Sequence, residues 1–211
     1  GIFLFWPIVD LKASAAAYTS PGGFALAGHW VLKGSDLLFG NLHWLLLLLL
    51  PWLMLASLYW GGAAEAALRR KLYFLFLVVV LAPGLAVGVL KSESGRAVPV
   101  DIEPFGGEHR FTAAFVPAAE CLADCSFVSR TATSGFLLIA LAWLFGDRRW
   151  LWVGIIVGLS VGLIQVAAGR HFLSDTLFAF WIVYGACLLS ARLLLGHSSV
   201  ASLPGSDSVV S

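Results

Sequence analysis

Five continuous apolar runs organise the chain, at 42–60, 72–90, 127–145, 150–168 and 172–195. A helix needs about 17–25 apolar residues to cross a hydrocarbon core, so each run predicts a membrane-spanning helix. None alternates apolar with polar positions, which excludes a membrane β-barrel. Pro51 and Pro83 fall inside two of the runs and predict kinks, which lipid-embedded helices tolerate where neighbours or waters satisfy the freed carbonyls. The stretch 2–9 is apolar but too short to span. We read it as the tail of a sixth helix, with a short interfacial segment as the alternative; no basic region precedes it as in a signal peptide.

Composition agrees with this reading. Hydrophobic residues make up 60% of the 211, mean hydropathy is +0.91, and charged residues are 12%, against about 25% in soluble domains. The expected fold is therefore all-α, a polytopic transmembrane helix bundle in one domain over residues 1–195. The Ser-rich stretch 196–211 reads as a disordered cytoplasmic tail. A net charge of +1 argues against a nucleic-acid partner. Arg69-Arg70-Lys71 and Arg148-Arg149 occupy alternate loops, and positive charge marks the cytoplasmic side. The 91–126 loop and the turn at Arg170 then lie on the opposite face. Cys121 and Cys125 sit in that outer loop at a spacing that permits, without requiring, a disulfide; Cys187 reads as a small packing residue.

Three polar clusters remain: Lys91 to Pro99 (KSESGRAVP), Phe127 to Gly135 (FVSRTATSG) and Gln165 to Asp175 (QVAAGRHFLSD). The orientation argument brings all three to one face. Ionisable groups at membrane depth each cost about 2.5–3.5 kcal/mol unless paired or solvated, which makes them functional candidates. His171 and Asp175 are four residues apart on one helical face. The carboxylate can take one imidazole proton and leave the other nitrogen as nucleophile or base, or the two can form an interfacial ion pair. Ser129 opens a helix, either as an ordinary N-cap or at an anion site. Lys91 can hold a phosphate or extend to the interface.

In this order the clusters resemble the motifs of the type 2 phosphatidic acid phosphatase superfamily, whose membrane members have six helices. Those motifs read Lys, six residues, Arg-Pro; then Pro-Ser-Gly-His; then Ser-Arg, five residues, His, three residues, Asp. The stretches 125–136 and 169–177 look particularly like bacterial members. The resemblance implies a six-helix lipid-phosphatase-like core with a shortened first helix. It implies His171 as the phosphate-attacking nucleophile, Asp175 as its orienting partner, and Lys91 and Ser129 as phosphate-binding residues, with no metal and no cofactor. Six positions depart from the pattern, among them Val128 in place of proline and Ile164 in place of serine. Val98 and Gln165 stand in place of the two arginines, Arg130 in place of glycine, and Thr131 in place of the general-acid histidine.

A missing acid costs about 10²–10⁴ in rate, and each lost transition-state donor about 2.7–4 kcal/mol. On those magnitudes the expectation is a catalytically inactive protein that binds membrane lipids and serves as an accessory subunit of a larger membrane complex. It would reside in a bacterial inner membrane with the altered site facing the periplasm. The alternative is an active lipid phosphate phosphatase in which Arg130 or Arg96 compensates for the missing arginines.

Overall fold

A computed structural model describes residues 3, 6–59, 63–121, 125–196 and 200, with the side chains of 63–65 left aside. Six longer helices appear among them, with two short 3₁₀ turns at Pro99–Asp101 and Glu103–Phe105. Helix α1 is Ile8–Ala15, followed by a two-residue hairpin, β1 Tyr18–Thr19 with β2 Gly23–Phe24. Helix α2 runs through Trp30–Ser57. Helix α3 comprises Ala63–Val79, a π-helical stretch at Val80–Ala86 and Val87–Ser94. Helices α4 (Arg130–Phe145), α5 (Arg149–Ala167) and α6 (Leu173–Leu194) complete the bundle. By length and apolarity α2, α3, α5 and α6 can cross a membrane, and this is a multi-pass membrane protein. Of the expected helix end at 2–9, residues 8 and 9 begin α1 while 2, 4 and 5 lie outside the described residues; the expected tail at 196–211 lies largely outside them.

Two elements differ from the hydropathy pattern, each for a physical reason. Helix α2 begins at Trp30 rather than Leu42, because His29 caps its first turn by accepting from Val31 N at 3.3 Å. Its polar residues Lys33 and Asp36 hide that start from a hydropathy scan. Asp36–Gly40 is π-helical, a local widening that often marks a functional site. Helix α4 is shorter than its apolar run because Ser129 caps it, accepting from Ala132 N at 3.3 Å. A short helix suffices there, since α4 is the enclosed one: Ala132, Phe136, Ile139, Ala140 and Ala142 have no exposed surface. Pro83 lies within the π-helical stretch of α3, where its missing N–H breaks the regular ladder.

Lipid offers no hydrophobic drive for helices to associate, so close packing must hold the bundle together. Gly154, Gly158 and Gly162 form one i, i+4 face of α5. A Cβ at Gly154 would lie 2.4 Å from Ile139 N, and one at Gly158 2.1 Å from the Phe136 ring. At Gly162 it would lie 2.0 Å from Thr176 Cγ2 on α6. These approaches seat α4 and α6 directly on α5, around a core that includes Phe74, Val78, Phe136, Trp143 and Val183.

Because successive helices run in opposite directions, the C-terminal ends of α3 and α5 and the N-terminal ends of α4 and α6 meet at one face. A smaller aromatic cluster caps that face, with Tyr18, Phe24 and Phe105 in contact at 5.1–5.3 Å between ring centroids. Cys121 and Cys125 are joined by a disulfide, with Cα atoms 5.5 Å apart.

Candidate functional site

His171 stands in the short turn between α5 and α6. Leu26 N donates to Ala167 O at 3.0 Å and Val100 N donates to Gly169 O at 3.0 Å, so the outer cap grips this turn from both sides. Gly169 has φ +72°, and a Cβ there would meet the Phe24 ring at 2.4 Å. Only glycine meets both demands.

The imidazole is buried, and its Nδ1 lies 2.8 Å from the Ser126 carbonyl. Asp175 Oδ2 is 3.7 Å from the same nitrogen, close enough for charge attraction but beyond hydrogen-bond reach. Of the two arrangements open to the pair, the structure has the charge contact, and the hydrogen-bond partner of Nδ1 is the Ser126 carbonyl. Asp175 instead accepts from Phe172 N at 2.7 Å, from the Ser126 hydroxyl, and from Arg96 at 2.8 Å.

Arg96 organises the layer beneath. It has 1% exposure and donates to Asp175 Oδ1 and Asp10 Oδ2, each at 2.8 Å, to Ser174 Oγ at 2.9 Å, and to the Thr112 carbonyl at 2.9 Å. Its guanidinium lies 3.9 Å from the Phe172 ring centroid. Asp10, fully buried on α1, also accepts from Ser174 N at 2.8 Å and from the Ser174 hydroxyl. Two carboxylates thus occupy the positive N-terminal end of α6 with a guanidinium bridging them. Arg96 is fully engaged here and does not reach the cavity, so it does not compensate for the missing arginines.

Above this layer lies a cavity of about 500 Å³ lined by Gly40, Lys91, Val98, Val100, Arg130, Thr131, Gln165, Arg170 and His171. Lys91, Val98, Arg130, Thr131, Gln165 and His171 are therefore brought together as the motifs predict. Ser129 and Asp175 are not on the wall. Ser129 is buried as the α4 cap, and its hydroxyl is taken by Ala132 N. That capping leaves the first-turn amides of Arg130 and Thr131 without partners inside the helix, at the positive end of its dipole. Lys91 is anchored by donation to the Cys125 carbonyl. Arg130 Nε is buried without a hydrogen-bond partner.

Asp36, on the π-helical stretch of α2, accepts from Gln165 Nε2 and from Arg170 Nη1, each at 2.8 Å. It holds two cavity residues at once. Gln165, standing where the resemblance expects arginine, sits beside an arginine presented from position 170. Three cations and one imidazole therefore face a single cavity.

Sequence reasoning missed Asp10, Asp36, Ser126 and Ser174, and it offered Arg96 as a substitute clamp without naming any partner for it. Asp10 carried a signal, being an acid beside an apolar stretch, but its partners are 86 and 164 residues away. His43 was also passed over. It is 2% exposed with both ring nitrogens unpartnered, and it lies within electrostatic range of Arg130.

The PAP2 superfamily model matches residues 72–198. A lipid A 4'-phosphatase of Francisella tularensis subsp. novicida is 29% identical over 200 residues, covering 86% of this chain and 87% of the relative. Lipid A 4'-phosphatases of Rhizobium etli and Rhizobium leguminosarum are 30% and 28% identical, over 82% and 88% of this chain and 69% and 83% of their own lengths. No solved structure matches the chain.

These relatives overturn the expectation of an inactive accessory subunit, since all three carry the name of a working phosphatase across nearly the whole chain. That expectation summed losses as though the exchanged positions left the cavity bare. Arg130 and Arg170 line it instead, so positive charge is redistributed around the cavity rather than removed.

Proposed function

This chain belongs to the PAP2 superfamily, and from that premise we propose that it is an active lipid phosphatase. Its substrate class is a phosphomonoester on a lipid headgroup, as in the 4'-phosphate of lipid A, and its site opens on the periplasmic face of a bacterial inner membrane. The observation that carries this reading is His171 on the wall of a cation-lined cavity, with Nδ1 bound to Ser126 O. Nε2 is left as the nucleophilic nitrogen.

In the first step Nε2 forms a bond to phosphorus as the bond to the sugar oxygen breaks. A water donates the proton that the departing alkoxide needs, since Thr131 has no acidity suited to that task. The hydroxide so formed then attacks the phosphohistidine and the N–P bond breaks, releasing hydrogen phosphate and regenerating the neutral imidazole. Lys91, Arg130 and Arg170, with the amides of Arg130 and Thr131, stabilise the charge that develops on the phosphoryl oxygens. The cavity volume of about 500 Å³ suits a phosphorylated sugar unit.

The test gives purified protein in detergent three lipids: lipid A with its 4'-phosphate, phosphatidic acid and a prenyl diphosphate. Released phosphate and the mass of the product are measured. The expected result is loss of the 4'-phosphate, abolished in His171→Gln and lowered about 10²–10³-fold in Arg130→Met. Wild-type protein releasing no phosphate from any of the three would refute the proposal.

A further inference from the structure

Residues 125 and 126 form a two-residue strap whose polar groups reach functional side chains in three directions. The Cys125 carbonyl accepts from Lys91 Nζ. Ser126 N donates to the Arg96 carbonyl at 2.8 Å, and Ser126 O accepts from His171 Nδ1 at 2.8 Å. The Ser126 hydroxyl donates to Asp175 Oδ2. Cys125 is 4% exposed and Ser126 not at all. Immediately before the strap, the Cys121–Cys125 disulfide ties its leading residue to the outer loop.

We infer that Ser126 is a positioning residue for His171 and that the Cys121–Cys125 bridge holds the strap in register. A carbonyl oxygen only accepts, so its bond to Nδ1 fixes the neutral imidazole in the Nδ1–H tautomer and leaves the Nε2 lone pair facing the cavity. The carboxylate lies too far away to do this, at 3.7 Å. Asp175 acts one step removed, holding the Ser126 hydroxyl and so the carbonyl that orients the ring. Lys91 hangs from the adjacent carbonyl, so a shift of the strap displaces nucleophile and cation together. The bridge closes a small ring that keeps residue 125 from drifting with the exposed loop. This inference rests on the phosphatase reading above for its kinetic arm and is independent of it for its spectroscopic arm.

The experiment uses the full chain in detergent with lipid A bearing the 4'-phosphate. Four preparations are compared: oxidised protein, protein reduced with dithiothreitol, the double variant Cys121→Ser/Cys125→Ser, and Ser126→Ala. In the reduction each sulfur gains one electron and one proton while the dithiol closes to its cyclic disulfide. Thermal unfolding followed by tryptophan fluorescence identifies the preparations that remain folded. Misplacing a reacting group by about 1 Å costs roughly 10²-fold. The expectation is therefore a fall in kcat of about tenfold or more in the reduced and double-variant proteins, with KM within about twofold. Reoxidation restores the reduced wild type, and Ser126→Ala, which keeps carbonyl and bridge, loses less.

Independently of turnover, NMR of protein carrying ¹⁵N-labelled histidine, with the His171 signal assigned by His171→Gln, reads the tautomer. A single Nδ1–H form is expected in the oxidised chain and a mixture once the bridge is gone. If oxidised wild type shows no turnover, the phosphatase reading fails and the tautomer still decides this inference. The inference is overturned if reduced, folded protein keeps both its kcat and its single tautomer. Where reduction unfolds the chain, Ser126→Ala decides: wild-type kcat and tautomer in that variant overturn it equally.

Discussion

Replacing Arg96 by methionine tests the buried layer directly. The substitution keeps an unbranched apolar stem beside the Phe111 and Phe172 rings and removes the guanidinium. Asp10 and Asp175, both without exposed surface, then lose their shared cation. Breaking a buried ion pair from one side costs about 3–5 kcal/mol, because the surviving charge is uncompensated. Net stabilities are only about 5–15 kcal/mol, so this single change removes a large share. Asp10→Asn alone exchanges one charge-assisted bond for a poorer contact and costs about 1.5–3 kcal/mol. In the double variant Asp10 is no longer a stranded charge, so the two costs fall short of additivity by about 1.5–3 kcal/mol. The assay is equilibrium unfolding in mixed micelles as the fraction of denaturing detergent rises, followed by tryptophan fluorescence. A cost below about 1 kcal/mol for Arg96→Met, or additivity within about 0.5 kcal/mol, would show that the bridge contributes little and that the reasoning is wrong.

Two further predictions concern packing and the cavity wall. Gly154→Ala places a methyl group against the backbone of Ile139 and destabilises by about 1–3 kcal/mol, whereas Gly185→Ala, with nothing within 4 Å, costs nothing measurable in the same unfolding assay. Asp36→Asn weakens the hold on Gln165 and Arg170. As that pair is half exposed, stability changes by less than about 1 kcal/mol, while KM for the phosphorylated lipid rises severalfold. An unchanged KM would remove Arg170 from substrate binding.

The bundle was legible because its information is local. Continuous apolar runs give the helices, whereas Arg69-Arg70-Lys71, expected in a loop, lie inside α3. Where polar residues interrupt a helix the pattern is blind, as at Lys33 and Asp36, which conceal the first part of α2. The cavity was legible to the extent that the three motifs carry its wall: Lys91, Arg130, Thr131, Gln165 and His171 all line it. What sequence could not supply was which cation meets which carboxylate. Arg96 lies five residues from Lys91 and reads as a clamp, yet its partners come from α1 and α6. Ser126 had no signal of its own, because its main contribution is a backbone carbonyl, which every residue has. The expectation of lost catalysis failed for a related reason. Matching motif positions one by one registers the arginines missing at 98 and 165 and cannot show that Arg170, anchored by Asp36, faces the same space.

The bridge from Asp10 through Arg96 to Asp175 also constrains how the protein is made. Asp10 leaves the ribosome 164 residues ahead of the Ser174 amide that it caps. Arg96 can already pair with that carboxylate once α3 is made, but the two Ser174 donors reach it only when α6 is in place. The bridge therefore closes only when α1, the end of α3 and α6 are all present. A chain cut short of residue 175 accordingly lacks the carboxylate that completes the layer beneath His171.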